Sequence, residues 1–196
     1  MSKLPALFLV LLTSFATYSS GARLQTPKFV DPNRAATETG PRRVHTNELK
    51  IIGFEIRTTN REEANPATAR IPGLWQRVLQ ENAVEKIPNR KTGGSLMGIY
   101  TKYESDFSGP YSLIVGVEVS SLKTIPPAMT GLKIPAGRYL VFSARGSMPQ
   151  ALIGTWGTIW KYFSDTPAPR RAFTFDYEVH TGSDRADIFI SIKSKP

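Results

Sequence analysis

Cysteine is absent from these 196 residues, and histidine occurs only at His45 and His180. Without a thiol there is no disulfide, no thiolate nucleophile, no zinc–thiolate site and no iron–sulfur cluster. Two histidines make a His-rich metal centre a poor fit, so neither a metal nor a cofactor is expected. Long apolar runs are lacking as well. The stretch Leu4 to Phe15 spans about a dozen residues, whereas a membrane-crossing helix needs about twenty. Acidic residues are outnumbered, 16 against 25 basic, which gives a net charge of +9. The excess is scattered: the tightest groups are Arg42-Arg43, Lys86 with Arg90-Lys91, and Arg170-Arg171, and no helix-turn-helix, RNP-type or zinc-finger motif accompanies them. Such a surface speaks for solubility, and nucleic acid is not an expected partner.

What is there begins with an export signal. Lys3 gives a positive start, the short apolar run follows, and Ser20 and Ala22 fit the −3 and −1 positions of a signal peptidase site. Residues 1–22 therefore read as a signal peptide cut before Arg23, and the chain as periplasmic or secreted, with no integral membrane segment once the leader is gone. An uncleaved anchor or a buried N-terminal helix is the competing reading. About 174 residues remain, enough for one domain with a proper core.

Residues 23–46 carry Pro27, Pro32, Gly40 and Pro41 without an apolar period and read as a flexible tether. The domain is expected over 47–196. Leu49 to Thr58 reads as a strand, and Asn65 to Asn82 as a helix with Ala67, Ile71, Leu74, Trp75, Val78 and Leu79 on one face. Pro72 moves its start toward Ile71. Leu96–Tyr103 and Tyr111–Ser120 form a hairpin, and Thr124–Thr130 is a connector. The order then repeats: a strand near Arg138–Ala144, a helix Met148–Phe163 with a Leu152, Trp156, Ile159, Phe163 stripe, and a hairpin from Ala172–Thr181 and Ala186–Ser194. This predicts an α+β fold of duplicated strand-helix-strand-strand units with pseudo-two-fold symmetry, an antiparallel sheet carrying two helices on one face.

In the last hairpin Phe173, Phe175, Tyr177 and Val179 alternate with Thr174, Asp176, Glu178 and His180, in a run rich enough in aromatics for a central strand. A carboxylate there is either on a solvated face, paired with a nearby Arg, or the acidic floor of an aromatic groove suited to a cationic ligand. Glu118 has a similar setting, but Gly116 beside it is explained equally well by close backbone packing. Trp156 belongs to the core stripe, and Trp160 at its margin could cap a pocket. Tyr100 and Tyr111 flank the first hairpin and could be cross-strand partners.

Gly98-Ile99-Tyr100, the Y-x-x-x-V-G-x-E-V run of Tyr111 to Val119, I-P-A-G-x-Y-x-V-F from Ile134 to Phe142, Trp156 with Trp160, and Phe175 to Glu178 occur here in an order that resembles the GyrI-like family. This is the small-molecule (effector)-binding module also found in AraC- and MerR-type regulators. The resemblance covers Leu49 to Lys195 and implies a ligand groove between two halves, lined by aromatics around a buried glutamate. Glu178 matches that glutamate, with Tyr100, Tyr111 and Trp160 as further ligand-binding residues. Where the family usually has an aromatic two places later, this chain has His180. No DNA-binding motif is attached and a signal peptide is, so a transcription-factor role is not expected.

Three functions follow from these observations. The first is a stand-alone binder of small amphipathic or cationic aromatic molecules. The second is a hydrolase of reactive electrophiles, with Glu178 as base and Tyr100 as hydrogen-bond donor. The third is a protein-interaction module.

Overall fold

The computed structural model describes residues 40–167 and 169–193; the signal peptide expected over 1–22 and residues 23–39 of the expected tether lie outside them. Eight strands form one antiparallel sheet: β1 (Arg42–Thr46), β2 (Leu49–Thr58), β3 (Leu96–Thr101), β4 (Tyr111–Glu118), β5 (Thr130–Ile134), β6 (Gly137–Arg145), β7 (Phe175–Gly182) and β8 (Arg185–Ser191). Their order across the sheet is β1-β6-β8-β7-β3-β4-β2-β5. The helices are α1 (Asn60–Glu63), α2 (Ile71–Gln80) and α3 (Gln150–Asp165), with a 3-10 turn at Ala83–Lys86. The fold is α+β. Among the described residues no helix is long and apolar enough to cross a membrane.

The two hairpins, β3–β4 and β7–β8, meet at the centre, where β3 pairs with β7. Ile71, Leu74 and Val78 of α2 and Trp156 and Ile159 of α3 share one core with Phe54, Leu113, Val115, Leu140, Phe142, Ile188 and Ile190 of the sheet. A second core, from Ile51, Met97, Ile99, Ile114, Ile134, Tyr139 and Tyr177, contains no helical residue. Strands that separate two cores bury both sides, so β4 reads as a continuous apolar run instead of alternating.

Two expectations need correction and one is refined: the helix read from Asn65 starts at Ile71, the position toward which Pro72 moves it. Asn65 instead closes a turn with its side chain, accepting from the Ala67 amide. The carboxylate of Glu63, itself 2 % exposed, accepts from the backbone amides of Arg70 and Ile71 and so satisfies the first turn of α2. Pro72 sits in that turn, where its missing N–H is not needed. The tether expected to run to Thr46 gives way at Arg42 to β1, which pairs with β6. The stretch after the connector forms β5, which pairs with β2. Both missed strands are five-residue edge strands, where burial is partial and the apolar pattern correspondingly weak.

Gly116 is needed for close packing, one of the two readings open at Glu118. It faces Gly53 across β2 and β4, and a Cβ on it would run into the Ile52 carbonyl and the Gly53 Cα. Gly154 in α3 meets nothing within 4 Å. Gly116→Ala should therefore lower stability by about 1–3 kcal/mol, while Gly154→Ala should raise it by up to about 1 kcal/mol through helix propensity. Denaturant unfolding of the two variants checks both signs.

Candidate functional site

β7 places two carboxylates on the helix-covered face, Asp176 opposite Tyr100 and Glu178 opposite Gly98 of β3, and both are fully buried. They are satisfied by different means. Asp176 receives the Arg171 guanidinium at 2.7 and 3.1 Å, the Tyr103 hydroxyl at 2.8 Å, and the amide and hydroxyl of Ser191 at 2.7 and 3.0 Å. Arg171 is carried back over the sheet by a bridge to Ile192 and is itself 8 % exposed, with its cationic face 4.6 Å from the Phe173 ring centre. Asp176 thus matches the alternative of a carboxylate paired with a nearby Arg.

Among the described residues, Glu178 has hydrogen-bond partners but no permanent cation. The Tyr100 hydroxyl at 2.8 Å and the Trp156 indole N–H at 2.7 Å both donate to Oε1, and His180 Nε2 lies 3.3 Å from Oε2. Room for the carboxylate comes from Gly98. A Cβ there would stand 3.1 Å from Cζ2 of Trp75 and 3.3 Å from Glu178 Oε2. The solvated-face reading of Glu178 is thereby overturned.

Beside this pair lies a small cavity of about 30 Å³, lined by Asn60, Tyr100, Tyr103, Phe107, Tyr111 and Trp156, with Trp160 and Arg171. Tyr100, Tyr111 and Trp160, expected from the sequence, therefore line the same cavity. Glu178 stands one hydrogen bond behind it, through Tyr100 and Trp156. Tyr100 and Tyr111 are not direct cross-strand partners, because Tyr100 pairs with Leu113. They are diagonal neighbours with ring centres 5.8 Å apart. Glu118 lies away from this cluster in an ion pair with Lys91 at 2.6 Å.

Burial, followed by the negative charge of Glu178, pushes the Tyr100 hydroxyl well above the ordinary phenol range. Burial and then Asp176 do the same to Tyr103, and burial and then Glu63 raise Tyr111. These phenols stay protonated and act as hydrogen-bond donors. Phe107, on the β3–β4 loop, lines the cavity and is 47 % exposed. Asn60 holds that loop by donating to the Phe107 carbonyl at 2.7 Å and accepts from the Tyr111 hydroxyl at 3.1 Å.

Sequence reasoning did not assign Tyr103, Asn60, Phe107 and Arg171 to the site, and it gave Trp156 to the core alone. Trp156 is a core residue, but a buried indole N–H needs an acceptor, and Glu178 supplies it. That requirement was the available signal. Tyr103 and Phe107 come from the β3–β4 loop, Arg171 from an isolated bridge and Asn60 from the start of the short α1, and their positions depend on tertiary packing.

Comparison with known proteins places these features. Residues 44–192 match the profile of the family described as Cass2, integron-associated effector binding protein. The integron cassette protein VCH_CASS2 from the mobile metagenome of Vibrio cholerae is 34 % identical, with a TM-score of 0.70 over 79 % of this chain and 97 % of that one. The YobU protein of Bacillus subtilis (strain 168) is 25 % identical over 156 residues, 76 % of this chain and 95 % of its own. SAV2435, solved with tetraphenylphosphonium bound, shares the fold at a TM-score of 0.65 and 20 % identity, over 79 % of this chain and 94 % of that one.

The two carboxylates should respond oppositely to neutralisation. Asp176→Asn leaves the buried Arg171 charge without its partner and should cost about 3–5 kcal/mol. Glu178→Gln keeps an acceptor for Tyr100 and Trp156 and removes a desolvated charge, so stability should stay within about 1 kcal/mol or rise. Paired denaturant titrations measure the difference.

Proposed function

Because the chain belongs to the Cass2 family of integron-associated effector binding proteins, we propose that it is a receptor for small amphipathic molecules that join an aromatic surface to a positive charge. The carrying observation is Glu178, fully buried and with hydrogen-bond partners on both oxygens, with no permanent cation against it among the described residues. Arg171 on the same wall does not repel such a ligand, since its charge is taken up by Asp176 at 2.7 Å. The rings of Tyr100, Tyr111, Trp156 and Trp160 offer faces for cation–π contact. That a relative of the same fold has been solved with tetraphenylphosphonium is consistent with this choice of ligand. Oε1 of Glu178 is already engaged by two donors, which suits a fixed charge better than a base that must take a proton.

We further infer that the groove lies between two halves related by duplication, β1–β4 with α2 and β5–β8 with α3. The sheet order supports this, since exchanging the halves strand for strand and reading the order backwards returns the same sequence of strands. On the reading of residues 1–22 as a signal peptide, the receptor works outside the cytoplasm. The intact mass of the envelope protein should then correspond to a chain starting within a residue or two of Arg23, and retention of Met1 would end that part of the proposal.

Calorimetric titration tests the receptor reading. Glu178→Gln should lower affinity for an aromatic cation by roughly 1–3 kcal/mol and affect a neutral molecule of similar shape much less. Equal affinities for both ligands in both proteins would remove Glu178 from the site.

A further inference from the structure

One side chain in contact with Glu178 can switch its charge. His180 lies two residues along β7, on the same face, with Nε2 3.3 Å from Oε2; its side chain is 20 % exposed while that of Glu178 is fully buried. The imidazole is held by the edge of Trp75, ring centres 4.9 Å apart. A proton from solvent can therefore reach the ring, while the carboxylate it faces cannot be hydrated to compensate. We propose that His180 is an internal, proton-dependent counter-ion that competes with a bound cation for Glu178. The inference rests on the receptor reading given above.

The surroundings leave this role to His180. From β3, Leu96 lies opposite His180, and Gly98 and Tyr100 lie opposite the neighbouring carboxylates. Tyr100 is kept protonated by burial and by Glu178. From β8, Ala186 and Ile188 lie opposite, and Asp187 is taken by Ser143 and Arg145. α2 contributes Trp75, while its Arg77 pairs with Glu81 and sits over the Phe54 ring. α3 contributes the Trp156 indole. Asp176, further along β7, is saturated by Arg171. Among the described residues, the one salt-bridge partner of Glu178 is His180.

The sign follows. Protonated, His180 cancels the charge of Glu178 and a cation gains little by approaching; neutral, it leaves that charge for the ligand. Affinity for a permanent cation should therefore be higher where His180 is neutral than where it is protonated. Binding in the acidic range should expel a proton.

Tetraphenylphosphonium, whose own charge does not titrate, is the probe, used with the full chain in calorimetry at about pH 5.5 and about pH 8 in buffers of different ionisation enthalpy. The wild type should bind several-fold more weakly at the lower pH and release protons on binding there. Tetraphenylborate, of the same shape and opposite charge, should change in the reverse direction. His180→Gln and His180→Phe should both flatten the pH dependence and abolish proton release. A wild-type affinity indifferent to pH, or a pH dependence that persists in both variants and so belongs to Glu178 itself, overturns the inference while leaving the receptor reading intact. Failure of the wild type to bind tetraphenylphosphonium at either pH removes the receptor reading and this inference with it.

Discussion

Burying a carboxylate costs several kcal/mol unless charge and hydrogen bonds replace the water it loses, and the centre of this sheet does this twice on a single strand. Asp176 is compensated in full, by a guanidinium, a phenol, a backbone amide and a serine hydroxyl. The result is neutral overall and ties the bridge at Arg171 to β7 and β8. Glu178, two residues on, has donors for its lone pairs but no permanent opposite charge. The first arrangement stabilises the fold around it. On the receptor reading, the second leaves a negative potential beside the aromatic cavity for a ligand to meet.

The position of that potential follows from the strand order. Because β3 and β7 pair at the middle of eight strands, a residue on β7 is as far from both sheet edges as the fold allows. Helices α2 and α3 then each send a tryptophan to the same place, Trp75 toward Gly98 and Trp156 onto Glu178. Glycine at 98 suits this crowding, since a Cβ there would press the Trp75 ring and the carboxylate back by a few tenths of an ångström.

Much of this was legible in the sequence. The two Trp-containing helices, the paired hairpins and the central character of Phe175–His180 follow from periodicity, turn residues and aromatic density, and the family resemblance singled out Glu178. What stayed hidden was settled by tertiary contact. Alternation put Asp176 and Glu178 on one face but could not say which of them Arg171 would reach, because the bridge to Ile192 that positions Arg171 is not a local feature. The start of α2 depends on Glu63, which precedes the helix by a turn of irregular chain, so its capping role leaves no local mark. β1 and β5 are edge strands, and Arg42, Arg43 and Lys133 along them look like loop residues until their pairing is seen.

The wall around the cavity is not held uniformly, and this bears on how a ligand much larger than about 30 Å³ could enter. A volume of that size corresponds to about one water molecule, so on the receptor reading binding must select a more open arrangement. Tyr100 and Trp156 are tied to Glu178, and Tyr103 and Arg171 to Asp176, so moving any of them breaks a hydrogen bond to a buried charge. Trp160 and Phe107 contribute ring surface, and Phe107 is nearly half exposed. Its loop is held through Asn60, whose bonds to the Phe107 carbonyl and the Tyr111 hydroxyl are between neutral groups and near solvent. Bonds of that kind contribute about 1 kcal/mol each, less than those to buried carboxylates. Opening should therefore start at the mouth, with the floor staying in place. The carboxylates would keep their geometry while the aromatic rim adapts, and ligands of varied shape would then meet the same fixed charge.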